Sequence, residues 1–391
     1  MPEIIRNALR RKLRTTLTVL GITIGIFALA VLGAMAEKIN RLSQGANRYL
    51  GHRVQVAEAG RGLFTAGLAP LTIVQQVEAI EGVACVETNV ETLAEEEFSF
   101  TFGAPRLLEG VDVGRIRRCQ AANPYLPTLS FVQGDWWREG ERGKVVLGVD
   151  LAQHLKAKKI GDTVTIRGRE FQVAGLLERT LTGPDSFAFV PIDDARLILA
   201  EAFPVLKEVD LTKYASEIYA LPLPGQDPDD LARAIQAALP DVKVFPPSEV
   251  VGRITGFTRV FNLIILGVAM IGLIVGGLSV INTMVMSIAE RTREIGLKKA
   301  VGASDGDILR EYLLEAAFIG LLGGLLGLAA GAGLVTLINR LTAPTGTIIF
   351  LLTWRLALGT VAFATVLGVL AGLMPSLRAS RLKPVEALKA E

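Results

Sequence analysis

Four long runs without a charged residue constrain this chain more than any other feature of its sequence. They occupy residues 17–36, 261–288, 316–339 and 356–377. A bilayer core is about 30 Å thick, so a helix needs roughly 20 apolar residues to cross it. The runs predict four membrane-spanning helices. With their flanks, the predicted spans are 17–36, 257–288, 313–339 and 356–377.

The composition excludes several other classes of protein. Half of the 391 residues are hydrophobic and the mean hydropathy is +0.43, which is too apolar for a disordered chain. The net charge of +2 argues against a nucleic-acid binder held by bulk charge. Two cysteines cannot support a disulfide-rich scaffold.

The basic residues in the flanks predict the orientation of the spans. They cluster before the first span, between the second and third, and after the fourth, whereas the loop 340–355 has only Arg340 and Arg355. Because Lys and Arg concentrate in cytoplasmic loops, we expect both termini and the segment 289–312 to be cytoplasmic. The prediction places 1–16 in a cytoplasmic amphipathic helix, 37–256 outside the membrane and 378–391 in a cytoplasmic tail.

The first run raises the alternative of a cleaved signal peptide. Ala34-Met35-Ala36 resembles a small-residue cleavage site that follows a basic segment. The apolar run is longer than the usual 7–15 residues of a signal peptide, so we expect the helix to be retained. Cleavage would leave the rest of the topology unchanged.

Glycines in the third span predict close packing between helices. Gly323, Gly327 and Gly331 recur every fourth residue and so lie along one helical face. Such stripes let helix backbones approach closely in lipid. None of the four uncharged runs holds an ionisable residue, which argues against an ion-coupled transporter.

The outer segment is predicted to be an α+β domain made of two separated βαβ-like halves with an inserted, mostly β subdomain at about 107–195. Both β-type alternation and helix-type periodicity occur in it. The predicted strands are 52–56, 83–90, 98–102, 144–147, 163–166, 171–177, 188–191, 217–221 and 242–245. The predicted helices are 72–80, capped by Thr72, and 228–239. Ser248 is expected to cap a helix that continues into the second span and, with 36–48, forms a stalk.

Two further features of the outer segment leave alternatives open. Cys85 and Cys119 lie where a disulfide is permitted, but we favour two free or buried thiols because Cys85 is in an apolar strand. Trp136-Trp137 is expected to place one ring in the core and the other at the surface, with a partner-binding patch as the alternative.

Two sequence motifs of independent catalysis are absent. The chain has no GxxxxGK[ST] phosphate loop and no HExxH pair, and its only histidines are His52 and His154. We therefore predict no catalytic residue, no metal site and no cofactor-binding site in this chain.

The most informative segment lies between the second and third spans. Glu294 and Lys298 form an i,i+4 pair in the favourable order. Gly302 suits the position after a helix, and Ser304 with Asp307 matches a capping box for the next helix. A short helix with one charged and one apolar side is predicted. It is either a solvated hairpin that fixes topology or a docking element for a cytoplasmic partner.

Three segments carry a resemblance to a known family. Glu290-Arg291-Thr292-Arg293-Glu294-Ile295-Gly296-Leu297-Lys298-Lys299-Ala300-Val301-Gly302-Ala303 resembles the E-R-[ST]-x-E-I-G-[LIV]-x-x-A-[LIV]-G-A signature of permeases of the MacB/FtsX-type (type VII, mechanotransmission) ABC transporter superfamily. Residues 8–22 look like the amphipathic helix that enters the first span of those permeases, and residues 375–388 look like their C-terminal tail. The one-plus-three order of spans is similar as well.

The resemblance implies a permease dimer, a homodimer in the simplest case, with separate ATPase subunits that bind ATP and Mg. About 16 residues precede the first span, so no fused ATPase is expected there. The residues that the resemblance assigns to ATPase coupling are Glu290, Arg291, Arg293, Glu294, Ile295, Gly296, Leu297, Lys298, Ala300, Val301 and Gly302. The implied location is the bacterial cytoplasmic membrane, with the large domain periplasmic or extracellular.

Four functions are compatible with this resemblance. The leading one is export or efflux of an antibiotic, peptide or lipid-like molecule, with a periplasmic adaptor or an outer-face substrate protein as a further partner. A lipoprotein-releasing permease is the second. An FtsX-like regulator of a cell-wall hydrolase, which transports nothing, is the third. A structural membrane protein without an ATPase is the fourth, and the coupling signature argues against it.

Overall fold

The computed structural model describes residues 12–62, 67–95, 105–125, 127–180, 182–343 and 348–389. The predicted strand 98–102 and most of the predicted helix 1–16 lie outside these residues. The chain divides into a membrane unit, formed by 1–37, 260–338 and 350–391, and an outer unit, formed by 38–259 and 339–349. The described helices are α1 (Lys12–Leu50), α2 (Thr72–Glu78), α3 (Val113–Ala122), α4 (Val149–His154), α5 (Ile192–Ala202), α6 (Pro228–Ala238), α7 (Pro247–Glu290), α8 (Thr292–Ala300), α9 (Asp305–Thr342), α10 (Trp354–Ser380) and α11 (Pro384–Lys389).

Four of these helices are long and apolar enough to cross a membrane. They are α1, α7, α9 and α10, and each contains one of the four uncharged runs. Their packed side chains form one core in the membrane unit, which includes Ile22 of α1, Met284 of α7 and Ile319 of α9. Many other apolar side chains of these helices point outward, as lipid-facing residues do.

Helix α7 is unbroken over 44 residues, as the stalk prediction requires, but its start differs from the predicted one. It begins at Pro247, where the fixed φ of proline suits the first helical position. Ser248 therefore lies inside the helix. Its backbone N–H donates to the Asp229 carboxylate at 3.1 Å, so the predicted role of Ser248 as cap is wrong.

The described strands of the outer unit form one ten-stranded mixed sheet and one small pair. The strands are β1 (Val54–Glu58), β2 (Ala69–Pro70), β3 (Val83–Leu93), β4 (Leu107–Val111), β5 (Phe131–Gly134), β6 (Lys144–Leu147), β7 (Thr163–Ile166), β8 (Arg169–Leu177), β9 (Phe187–Pro191), β10 (Tyr214–Ala215), β11 (Glu217–Pro222) and β12 (Val242–Phe245). The large sheet has the order β12-β1-β11-β3-β4-β9-β6-β8-β5, with β7 beside β8, and β10 pairs with β2.

The predicted insertion continues this sheet. Strand β4 pairs antiparallel with β3 and parallel with β9, so backbone hydrogen bonds join the two parts. One core lies between α2, α6 and the strands β1 and β11, and it includes Val54, Ile218 and Ile235. A second core lies around α4, α5 and the strands β4, β6, β7, β8 and β9, and it includes Leu108 and Ile198.

One helix prediction in the outer unit is wrong, and three helices there were not predicted. Helix α2 begins after Leu71, so Thr72 is inside the helix and its predicted role as N-cap is wrong. The helices α3, α4 and α5 were not predicted. Asp112 caps α3 by accepting the Arg115 backbone N–H at 3.0 Å.

Cys85 and Cys119 form a disulfide, so the prediction of free thiols is wrong. The bridge joins β3 to α3 across a Cα–Cα distance of 5.3 Å. Cys119 is fully buried against Leu221. An apolar strand position for Cys85 does not argue against a bridge, because α3 packs on that strand and brings Cys119 to it.

Removing the bridge with Cys85→Ala and Cys119→Ala is expected to destabilise the outer unit. The cysteines are 34 residues apart, and closing a loop of that length stabilises a fold by about 3–4 kcal/mol. The measurement is thermal unfolding of the full chain with and without dithiothreitol. The reductant should lower the midpoint of the unaltered chain and leave that of the double variant unchanged. An unaltered chain that is insensitive to the reductant would contradict this account.

Candidate coupling site

Helix α8 is a separate short helix because the backbone breaks at both of its ends. Arg291 interrupts the path from α7 with non-helical angles. Gly302 has a φ of +108°, in the left-handed region that favours glycine. The N–H groups of Gly302 and Ala303 donate to Lys299 and Lys298 carbonyl oxygens at 3.1 and 3.0 Å. This is the Schellman motif that ends a helix, and it confirms the predicted position of Gly302.

The next helix begins with the predicted capping box. The Asp307 N–H donates to Ser304 Oγ at 3.2 Å, and the Ser304 N–H donates to the Asp307 carboxylate at 3.0 Å. Both donors would otherwise lack a partner at the start of α9. The four-residue connection between α8 and α9 is therefore fixed by its own sequence.

Ion pairs attach α8 to α9. Lys298 Nζ lies 2.7 Å from a Glu311 carboxylate oxygen and 3.6 Å from Glu294, the predicted partner. Although partial burial alone would lower the pKa of Lys298, the hydrogen bonds and charge of Glu311 and Glu294 raise it. At the start of the segment, Arg291 contacts the buried Glu315 of α9 at 3.3 Å.

The C-terminal helix α11 covers one side of α8. A side-chain carbon at Gly296 would lie 2.7 Å from Ala387 Cβ, so glycine is needed for this contact. Lys299 Nζ donates to the carbonyl oxygens of Ser380 and Leu382, at 2.6 and 2.8 Å, where α10 ends. Gly296 and Lys299 therefore position α8 against the C-terminal segment.

The sequence-predicted coupling residues separate into two groups. Ile295 and Gly296 are buried, and Arg291 and Lys298 are half-buried in the contacts above. The remaining residues are exposed; they are Glu290, Arg293, Glu294, Leu297, Ala300, Val301 and Gly302. Leu297 is 58% exposed and Val301 is 83% exposed. We call Arg293, Leu297, Ala300 and Val301, which share one side of the segment, the exposed α8 face.

The glycine stripe of α9 lies against α1. Side-chain carbons at Gly323 and Gly327 would lie 2.7 Å from the Cβ atoms of Ile22 and Ile26, and one at Gly331 would lie 2.9 Å from that of Ala30. The stripe thus brings the two backbones together. Sequence reasoning missed a second close contact, in which Gly320 and Gly368 pack α9 on α10.

Most residues that contact α8 were not predicted from the sequence. The ion-pair partners Glu311 and Glu315 follow the signature, and Ala387 lies far along the chain. Glu311 and Glu315 are four residues apart and so share one face of α9. This spacing was the only sequence feature that could have predicted an acidic face opposite α8. The contact of α11 had no signal beyond the small size of Gly296 and Ala387.

Two family descriptions together match most of the chain. Residues 15–238 match the MacB-like periplasmic core domain, and residues 266–384 match the FtsX-like permease C-terminal region. An uncharacterized ABC transporter permease of Methanocaldococcus jannaschii is 26% identical over 99% of this chain and 96% of its own length.

A second relative is longer. The macrolide export ATP-binding/permease protein MacB of Rhodopirellula baltica is 28% identical over 98% of this chain but only 61% of its own length. Among solved structures, the periplasmic region of MacB from Actinobacillus actinomycetemcomitans aligns with 54% of this chain and 95% of its own, at 13% identity and a TM-score of 0.35. By the two family matches and the four apolar helices, this chain belongs to the MacB/FtsX-type ABC transporter permeases, membrane proteins with a large extracytoplasmic domain.

Proposed function

We propose that this chain is the membrane subunit of an exporter, in which the exposed α8 face docks on a separate ATPase subunit and transmits its movement. The observation that carries the proposal is the exposure of Leu297 and Val301 beside charged residues on a short helix. Exposed apolar side chains rimmed by charge are typical of a protein interface. The chain itself supplies no catalytic residue to the ATPase reaction.

The contacts that attach α8 to its neighbouring helices support a mechanical role. Force transmission requires a docking helix that does not yield when its partner moves. Lys298 ties α8 to Glu311, and Ala387 of α11 covers Gly296. Lys299 also donates to a carbonyl oxygen at the end of α10. A push on the exposed α8 face would therefore reach α9, α10 and α11 directly.

The names of the relatives support a permease chain that works with a separate ATPase subunit. The longer relative is named an ATP-binding/permease protein for macrolide export, and this chain matches 61% of it. The relative of matching length is named a permease only. We place ATP and Mg in a partner ATPase, both chain termini in the cytoplasm, and a second permease copy beside the first. An adaptor protein or a substrate at the outer face completes the proposed assembly.

The double substitution Leu297→Asp and Val301→Asp is expected to release the ATPase. Two carboxylates in an apolar interface would have to be desolvated, which costs several kcal/mol, so binding should weaken at least tenfold. The measurement is ATP hydrolysis by the full chain purified from its own membranes together with its bound ATPase. Gly296 is a poorer target, because a larger residue there would displace α11.

The matched control is Val205→Asp, the same change at an 80% exposed position of the outer unit. It should leave the co-purified ATP hydrolysis unchanged. Both variants should retain the thermal midpoint of the unaltered chain, since none of the three positions is buried. Undiminished ATP hydrolysis with the double variant would refute docking through the exposed α8 face.

A further inference from the structure

The outer unit contains a cavity of about 580 Å³ that the coupling function does not use. Its volume is within the range of small-molecule sites. Its walls come from the strands β1, β3, β4, β9 and β11 and from the segment around Trp136. Because all of these belong to the outer unit, the cavity can be considered independently of the ATPase.

One half of the cavity wall is an acidic sheet face. Strand residues alternate between faces, and Val54, Val86 and Ile218 point into the core with α2 and α6. The alternate positions of β3, β4 and β11 line the cavity with four carboxylates, namely Glu87, Glu91, Glu109 and Glu217. Two guanidinium groups also line it, those of Arg53 just before β1 and Arg61 beyond its end. The carboxylates are thus in excess on this face.

The two arginines are already engaged. Arg53 contacts Glu87 at 3.0 Å, and Arg61 donates to the carbonyl oxygens of Ser216 and Gly67 at 3.0 and 2.8 Å. Glu217 instead accepts from the neutral amide of Gln55 at 2.5 Å. Glu109 likewise accepts from the amide of Asn89.

The arrangement of the carboxylates destabilises the folded outer unit. Glu91 and Glu109 are directly opposite in the pairing of β3 and β4, where like charges destabilise a sheet. Burial, together with repulsion from Glu91, raises the pKa of Glu109 to about 8 and that of Glu217 to about 7. A positive ligand would relieve this repulsion.

The other half of the cavity wall is aromatic. Phe187 and Phe189 follow the acidic positions on the same sheet face, and Phe189 is paired with Glu109 across β4 and β9. Trp136 stands edge-on to Phe189 with ring centroids 5.6 Å apart. Aromatic rings attract cations through their faces and apolar groups through their area.

A metal ion does not fit this cavity. Among the described residues, no group of three or more His, Cys, Asp or Glu is arranged to hold one. An aromatic wall also offers nothing to a metal ion that prefers oxygen ligands.

We propose that this cavity binds an organic cation with an apolar or aromatic body. Glu109 and Glu217 face its positive charge, and Phe187, Phe189 and Trp136 contact its body. The site lies in the outer domain and does not depend on the proposed ATPase docking, so either can fail without the other.

The test is titration of the full chain in lipid nanodiscs with benzyltriethylammonium, whose charge does not change with pH. We expect saturable binding that tightens at least threefold between pH 6 and pH 8.5, because carboxylates with raised pKa ionise over that range. The charge-reversed probe benzenesulfonate should not bind. The double variant Glu109→Gln and Glu217→Gln should bind the cation at least tenfold more weakly.

One control separates the site from general charge, and one further variant tests the aromatic wall. Glu170→Gln removes an exposed carboxylate of β8 and should leave binding unchanged. Phe187→Leu retains an apolar side chain but removes the ring, and should weaken binding severalfold. The proposal is overturned if the unaltered chain shows no saturable cation binding, if benzenesulfonate binds equally well, or if the double glutamine variant binds as the unaltered chain does.

Discussion

Replacing Gly327 with leucine is expected to prevent α1 and α9 from packing and to lower the unfolding midpoint of the membrane unit by about 10 °C. A side-chain carbon there would lie 2.7 Å from Ile26 Cβ and 2.8 Å from the Thr23 carbonyl oxygen. The carbonyl oxygen belongs to a helix backbone and cannot turn away, so the helices must separate. Overpacking of this kind costs about 3 kcal/mol or more, and the neighbouring contacts at Gly323 and Gly331 are lost with it.

The measurement is thermal unfolding of the full chain in nanodiscs, followed by circular dichroism at a helix wavelength. Gly333→Leu and Gly359→Leu are matched controls, because a side-chain carbon at either position meets nothing within 4 Å. Leucine also favours helix over glycine, so these variants should be at least as stable as the unaltered chain. An equal loss of stability in all three variants would show that helix–helix contact at Gly327 is not the cause.

This stripe illustrates what the sequence can predict in the membrane unit. A spacing of four residues places Gly323, Gly327 and Gly331 on one face, whatever the rest of the chain does. The identity of the facing helix does not follow from the spacing. Lipid and helix surfaces are equally apolar, so hydrophobicity does not select α1 as the partner.

In the outer unit, too, the sequence predicts local pattern but does not predict which elements pack together. The predicted strands that lie in the described residues agree with the structure to within three residues, because the alternation is local. The strands β2, β4, β5 and β10 were not predicted. Helix α3 was not predicted, because it has little apolar periodicity and carries Arg115, Arg117 and Arg118. Cys119 lies on this helix, so its disulfide with Cys85 was not predicted either.

The remaining contacts that the sequence did not predict join residues that are far apart along the chain. Gly296 belongs to a signature that predicts docking, yet it contacts Ala387, 91 residues later in the chain. The cavity carboxylates come from three strands, and their convergence depends on the strand order, which puts β11 between β1 and β3. Periodicity shows which face a residue occupies and does not show which strands are neighbours.

Raising the pH from 6 to 8 is expected to destabilise the empty outer unit through Glu109. The pKa of this carboxyl is raised to about 8, from an ordinary value of 4.5. Between those values the folded state holds a proton that the unfolded state has released, so the free energy of unfolding falls as the pH rises through this window and levels off above it. Each pH unit in this window lowers the free energy of unfolding by about 1.4 kcal/mol, so the decrease from pH 6 to pH 8 is on the order of 2–3 kcal/mol.

Glu109→Gln tests the cause, because glutamine resembles the protonated carboxyl and does not titrate. The variant should match the unaltered chain near pH 5, exceed its thermal midpoint by about 5 °C at pH 8, and show a flatter dependence on pH. Glu170→Gln, at an exposed position, should leave the dependence unchanged. A Glu109→Gln advantage of the same size at every pH would indicate better packing rather than relief of a buried charge. In that case the charge of the Glu109 carboxylate would not destabilise the outer unit, and a cationic ligand would have no such destabilisation to relieve.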